Sequence, residues 1–114
     1  MTVTFEKVAQ WGNPLVAINM RKKMKYARVI SIEFKSAEDL DEFYGKWDIW
    51  FPDNMPLAAS RTMVRTASNS TLMMAVYDNE EIADEAKAAV RKFFDVEAVH
   101  VHDIIEFHGE VMRE

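Results

Sequence analysis

Two histidines near the end of the chain, His100 and His102, are the residues whose types and spacing first suggest chemistry. Residues two apart on a β-strand point to the same side of the sheet, so the two imidazoles would lie side by side. With a carboxylate such as Glu33 they would supply a general base, and His100, His102 and Glu33 are the predicted catalytic candidates. The two imidazoles could also hold a metal ion, with Glu33 or Glu106 as a third ligand. Because no third ligand is firmly placed, we expect ordinary hydrogen bonds instead, with neither a metal site nor a cofactor.

A second set of candidates would contact a ligand rather than react with it. Arg61 and Arg65 alternate along a predicted strand and could hold a carboxylate, although charge that keeps an edge strand from aggregating explains them better. Aromatic residues recur at helical spacing after residue 40, which is typical of core packing. Together with eight methionines they could also line an adaptable cavity. The predicted ligand-binding residues are Phe43, Trp47, Trp50, Arg65, Met73 and Tyr77.

Composition excludes several classes of function. The chain has no cysteine, which removes disulfides, thiolate nucleophiles and sulfur-ligated metal centres. A net charge of -5 argues against nucleic-acid binding. The basic cluster within residues 21–28, which ends at Arg28, is interpreted as a solvated stretch ahead of the first sheet strand. No apolar run is long enough to span a bilayer and no signal peptide is evident, so we expect a cytoplasmic protein without a membrane partner.

The elements that must position these residues follow from changes in the period of the apolar pattern. Its order is strand, helix, strand, strand, helix, strand. The predicted bounds are 29–34, 37–50, 60–66, 71–77, 79–93 and 96–108. Ser36 with Asp39, and Asp78 with Glu81, have the spacing of helix capping boxes. We expect an N-terminal extension, 1–25, and one domain, 26–114. Two split strand-helix-strand units predict an α+β ferredoxin-like βαββαβ sandwich, with a four-stranded antiparallel sheet and two helices on one face.

The sheet face opposite the helices is predicted to be unusually apolar. The residues expected under the helices are Ile30, Ile32, Phe34, Leu72, Met74, Val76, Val99 and Val101. Those expected on the other face are Val29, Ser31, Glu33, Val64, Met73, Ala75, Tyr77, His100, His102, Ile104 and Glu106. An apolar surface of this size is rarely left in contact with water, so we expect another chain or segment to pack against this face. A second copy of the chain would cover it, and so would residues 1–25 acting as a short strand or a lid.

Residues 26–108 resemble the dimeric α+β barrel superfamily of ferredoxin-like proteins, which includes the antibiotic-biosynthesis monooxygenase type. The resemblance lies in the element order, in two capped helices with Trp47 and Trp50 in the first, and in the long last strand, Val96–His108. It implies a homodimer with a cavity between sheet and helices or between the two sheets. Such cavities hold small hydrophobic molecules, which some members oxidise without a cofactor. No residue motif in this chain fixes one member's activity.

The sequence therefore favours a homodimer, or a larger self-assembly, that binds a small apolar or amphipathic molecule, lipid-like or aromatic. One alternative is a cofactor-independent monooxygenase or isomerase that acts on a small hydrophobic substrate, with His100 or His102 as its base. A third is a structural homo-oligomer without a ligand. Whether the protein is an enzyme stays open at this point.

Overall fold

The computed structural model describes residues 24–114, and within that range the chain forms four strands and two long helices. Of the predicted extension 1–25, residues 1–23 lie outside the described residues. The elements are β1 Tyr26–Phe34, α1 Ala37–Asn54, β2 Ser60–Ala67, β3 Ser70–Tyr77, α2 Glu80–Glu97 and β4 Val101–Glu110, with a 3₁₀ turn at Ala98–His100. The strands lie in the order β2-β3-β1-β4, and neighbouring strands are antiparallel. The predicted βαββαβ sandwich is confirmed.

Helix α1 begins at the predicted capping box and ends later than expected. The Ser36 hydroxyl oxygen accepts the Asp39 backbone N–H at 3.0 Å, and the hydroxyl donates to the Asp39 carboxylate at 2.8 Å. The helix continues through Pro52 to Asn54. There the Asn54 side-chain amide donates to the Trp50 carbonyl at 2.7 Å, which satisfies one of the carbonyls that a helix end leaves without a partner.

Helix α2 has a different cap from the predicted one. Its N-cap is Asn79, whose side-chain oxygen accepts the Ile82 backbone N–H at 2.9 Å, whereas the sequence predicted Asp78 with Glu81. The helix also extends to Glu97 instead of ending at residue 93. Its buried stripe extends with it, since Glu97 is buried four residues after buried Phe93.

Both helices pack on one face of the sheet. The predicted inward residues of β1, Ile30, Ile32 and Phe34, are buried there. Phe43 of α1 is fully buried, and its ring centroid lies 5.0 Å from that of Phe34 and 5.1 Å from that of Phe93 in α2. The two helices and the central strand are thus joined by aromatic contacts. No helix within residues 24–114 has both the length and the apolar character needed to cross a membrane.

The predicted faces of β3 are wrong. Met73, Ala75 and Tyr77 are buried on the helix side, whereas Leu72 and Met74 are exposed on the opposite side. Val76, two residues after Met74, shares that opposite side. The pairing of β1 with β3 sets this arrangement, because Ile30 pairs with Met73 and the two therefore share a face. Both faces of β3 are apolar, so alternation alone does not indicate which one is covered.

The last strand begins later than predicted. Residues 96 and 97 belong to α2, and residues 98–100 form the 3₁₀ turn. Val99, predicted to be buried, is 65% exposed, and His100, predicted on the face opposite the helices, is buried. Val101 packs against the core as predicted.

A β-bulge early in β4 then reverses the predicted faces of the rest of the strand. Phe34 pairs with Val101 and Glu33 pairs with Asp103, which leaves His102 as the extra residue. Beyond the bulge, the residues on the helix side are Ile104 and Glu106, which pair with Ile32 and Ile30, and those on the other side are Ile105 and Phe107.

Candidate functional site

A narrow apolar cavity lies between the sheet and the two helices. Residues from the strands and both helices line it, among them Ile30, Ile32, Phe43, Trp47, Met73 and Phe94. Three of the predicted ligand-binding residues, Phe43, Trp47 and Met73, are therefore brought together. The volume open to a water-sized molecule is about 10 Å³, enough for roughly one water. A ligand would have to displace side chains, and the flexible thioethers of Met63 and Met73 in the lining suit that requirement.

The other predicted ligand-binding residues lie elsewhere. Trp50 packs against Trp47, with 5.5 Å between ring centroids, and against Phe93 at 4.9 Å, so it adjoins the apolar cavity without lining it. Tyr77 is buried in a second cluster that also contains Ala75 and Ala83.

The arginine pair of β2 does not converge on one site. The Arg61 Nη2 group donates to the Tyr77 hydroxyl at 3.0 Å, and its guanidinium lies 4.6 Å from the centroid of the Phe51 ring. Arg65 donates instead to the Ser68 carbonyl at 2.8 Å. The two guanidinium groups therefore have separate partners, and no shared carboxylate site forms between them.

A second cavity, which we name the charged groove, lies between α2 and β4 and has a volume of about 220 Å³. Arg28 contributes to its lining, although it is only 3% exposed. Its Nη2 donates to Glu106 Oε1 at 2.5 Å. The interpretation of Arg28 as solvated was wrong, and so was the placement of Glu106 on the face opposite the helices. Arg28 has the same parity as Ile30 and Ile32, which was the available signal that it points under the helices.

Tyr26 and His108 extend this polar region along the same strands. The Tyr26 hydroxyl lies 2.9 Å from His108 Nδ1, and His108 pairs with Arg28 across the β1–β4 ladder. Burial first, and then the carboxylate of Glu80, raises the pKa of the Tyr26 hydroxyl above its ordinary value. The raised pKa favours the protonated phenol, whose hydroxyl is hydrogen-bonded with His108 Nδ1.

His100 occupies a buried, acidic setting at the start of α1. Its Nδ1 lies 2.8 Å from Asp39 Oδ1 and its Nε2 lies 3.5 Å from Glu97 Oε1. Glu97 also pairs with Lys46 at 3.1 Å. Hydrogen bonds, from His100 first and from Ser36 second, hold the pKa of Asp39 below its ordinary value. This network joins the 3₁₀ turn to the first turn of α1.

His102 and Glu33, in contrast, lie together on the exposed side of the sheet. Their Nε2 and Oε1 atoms are 3.8 Å apart, and the side chains are 66% and 52% exposed. The structure therefore brings His102 and Glu33 together and separates both from His100. Among residues 24–114, no three His, Asp or Glu side chains are grouped so as to hold a metal ion.

The sheet face opposite the helices is apolar, as predicted, but partly through different residues. We name this surface the open face and define it by five residues from β2, β3 and β4. They are Val64, Leu72, Met74, Ile105 and Phe107. Each is between 37% and 62% exposed in the single chain. Val64 pairs with Leu72 across two strands, so the apolar surface is continuous there.

Comparisons with known proteins identify the fold. No family model matches the chain, and no curated protein matches its sequence. A dimeric ferredoxin-like protein from an uncultured marine organism matches with a TM-score of 0.65 and 14% identity, over 85% of this chain and 96% of that one. A mutant form of SnoaB, a cofactor-independent oxygenase from Streptomyces nogalater, matches with a TM-score of 0.61 and 12% identity, over 79% of this chain and 95% of its own.

A proposed antibiotic biosynthesis monooxygenase from Chloroflexus aurantiacus is similar to the same degree, with a TM-score of 0.62 and 9% identity over 79% of this chain and 95% of that one. At such identities a likeness extends to the fold and not to the chemistry. The chain therefore has the ferredoxin-like fold of the dimeric ferredoxin-like and antibiotic-biosynthesis-monooxygenase-type proteins.

Proposed function

We propose that the protein is a homodimer whose subunits meet through the open face, and that each subunit binds a small apolar or amphipathic molecule between its sheet and its helices. The observation that carries this proposal is the open face, where apolar side chains of three strands remain exposed in the single chain. The ligand site would lie on the other side of the same sheet, at the apolar cavity and the charged groove.

Self-association is the favoured cover for the open face. Soluble monomers rarely leave a continuous apolar surface of several strands in water. Two sheets can pack face to face about 10 Å apart, and a twofold axis allows one patch to cover its own copy. Two proteins with this fold, from an uncultured marine organism and from Thermobifida fusca, are described as dimeric. Residues 1–23 are the competing cover, and the oligomeric state distinguishes the two.

Ligand binding is supported by the composition of the apolar cavity. Its walls are aromatic, branched and thioether side chains, and Met63 at its edge is 39% exposed. The site of a small molecule is typically apolar with a few placed polar groups. The Tyr44 hydroxyl, 2.7 Å from the Thr71 hydroxyl, supplies polar atoms beside the cavity.

Native mass spectrometry of the gently purified full chain tests the proposal. We expect the mass of two chains together with one or two small additional masses. A dimer without additional mass, even after incubation with a cell extract from the expression host, would favour a structural homo-oligomer. Single chains with no dimer at micromolar concentration would contradict the proposed interface.

A cofactor-independent oxygenase or isomerase is the second candidate function. SnoaB, which has this fold, is described as a cofactor-independent oxygenase. In this chain the exposed imidazole of His102 is the candidate general base, and the Glu33 carboxylate, 3.8 Å away, would have to move closer to orient it. Oxygen uptake with a panel of polyphenols, compared between the natural chain and His102→Ala, checks this role. Uptake that is lost in the variant supports His102 as base, whereas equal uptake contradicts it.

A further inference from the structure

We infer that the ligand is a carboxylic acid with an apolar body, whose carboxylate binds Arg28 in the charged groove while its body enters the apolar cavity past Phe94. This inference rests on the proposed ligand-binding function and names the chemical class of the ligand.

Arg28 is the first reason for this assignment. Its side chain is 4% exposed, and its hydrogen bond to Glu106 uses Nη2, while the buried Nε has no hydrogen-bond partner. Leaving a buried donor unpaired is costly, and for a charged group the cost is larger. A guanidinium presents parallel N–H groups along its edge, which match the two oxygens of a carboxylate. The unpaired Nε leaves one donor of Arg28 that an additional acceptor would satisfy, and because this atom is buried, a carboxylate in the groove must displace neighbouring side chains to reach it.

The charge of the groove is the second reason. Its lining contains three cations, Arg28, Lys87 and Arg91, and two anions, Asp95 and Glu106. The lining therefore has a net positive charge, although the net charge of the whole chain is -5. A single bound carboxylate would neutralise the lining, whereas a cationic or neutral head group would leave the excess positive charge unpaired.

Continuity with the apolar cavity is the third reason. Phe94 lines both the apolar cavity and the charged groove, so the two spaces adjoin the same side chain. In the sheet beneath, Glu106 of the groove pairs with Ile30 of the cavity. In the inferred binding mode, the half-buried Phe94 ring moves aside and the two spaces become one. The joined space would be apolar at one end and cationic at the other, as an amphipathic acid requires.

Isothermal titration calorimetry of the full chain with three probes tests the inference. Octanoate has both the charge and the chain, octanamide has the chain without the charge, and acetate has the charge without the chain. We expect octanoate to bind at least tenfold more tightly than either of the others. Equal binding of octanoate and octanamide would overturn the carboxylate site while leaving the proposed function intact. Failure of both to bind would overturn the inference, and the proposed ligand-binding function would still be decided by native mass spectrometry.

Variants assign the effect to Arg28. In the double variant Arg28→Met with Glu106→Gln, the net charge is unchanged and no charged partner is left buried alone, so folding should persist. We expect octanoate to lose its tenfold preference over octanamide. Glu106→Gln alone should strengthen octanoate binding several-fold, because it removes the negative charge that competes with the ligand carboxylate for Arg28. Lys92→Met removes one exposed cation of α2 that does not line the groove, and it should leave the preference unchanged. A preference retained in the double variant would overturn the role of Arg28.

Discussion

Arg28 and His100 are both buried polar residues, but their surroundings assign them different roles. His100 makes a hydrogen bond between Nδ1 and Asp39 Oδ1 at 2.8 Å, and its Nε2 lies 3.5 Å from Glu97 Oε1, so both ring nitrogens have partners within the protein. Arg28 keeps a buried Nε without a hydrogen-bond partner, and its side chain contributes to the lining of the charged groove. A polar group that is partnered within the protein stabilises local structure, whereas a buried unpartnered donor on a residue that lines a cavity supports the proposed binding position.

His100→Ala is therefore expected to destabilise the fold, and His102→Ala is its matched control. Loss of His100 removes the main hydrogen bond that lowers the Asp39 pKa, so that pKa should rise toward its ordinary value. A lowered folded-state pKa contributes stability above the ordinary pKa of the carboxyl, and that stability is lost as pH falls through the folded value.

Carboxyl NMR titration of Asp39 and thermal melts at pH 7 and pH 3 check this expectation. His100→Ala should lower the melting temperature by several degrees at pH 7 and by less at pH 3. His102→Ala, at an exposed position, should change it by about one degree or less. Equal effects of the two substitutions would contradict the structural role assigned to His100.

At the scale of elements, the sequence predicts the order and type of the strands and helices better than it predicts which face of the sheet each side chain occupies. The strand and helix periods and the Ser36 capping box were enough to predict the βαββαβ sandwich. The faces of β3 were not predictable, because Leu72 and Met74 on one side are as apolar as Met73 and Tyr77 on the other. If the assumed facing of a strand is wrong by one residue, every side chain of that strand is assigned to the opposite face.

The residues that line the two cavities could be predicted only in part, because the face of a strand residue depends on pairing with other strands. Phe43 and Trp47 were found because helical spacing identifies a buried stripe without reference to other elements. Glu106 was assigned to the wrong face because the bulge at His102 cannot be read from alternation, which it interrupts. Arg28 was missed because it was grouped with the basic residues that precede it at 21–25, although its parity with Ile30 marks it as buried.

The cap of α2 gives a test at this scale. Asn79→Ala removes the acceptor of the Ile82 N–H and should lower the free energy of unfolding by about 1 kcal/mol. Asp78→Ala, at the position that the sequence pattern favoured, should cost ~0.5 kcal/mol or less, since it loses only an interaction with the helix dipole. Urea unfolding followed by circular dichroism measures both. The reverse order of the two costs would contradict the observed cap.

At the scale of the whole molecule, one face of the sheet lines the apolar cavity and the other face forms the open face. Successive residues of β3 alternate between them, since Met73 lines the apolar cavity and Met74 lies on the open face. In the proposed homodimer, the partner sheet would pack directly behind the strands that form the floor of the cavity. Association and ligand binding would then involve opposite sides of the same four strands.

Sedimentation velocity at about 10 μM shows whether a second copy of the chain covers the open face. Met74→Glu places a charge in the open face at a side chain already 48% exposed, so the single chain should tolerate it. Ile49→Glu makes a similar change on the surface of α1, at a side chain that is 80% exposed, and serves as the control. We predict dimers for the natural chain and for Ile49→Glu, and folded monomers for Met74→Glu. A monomeric natural chain, or a Met74→Glu variant that sediments as the natural dimer does, would contradict the account.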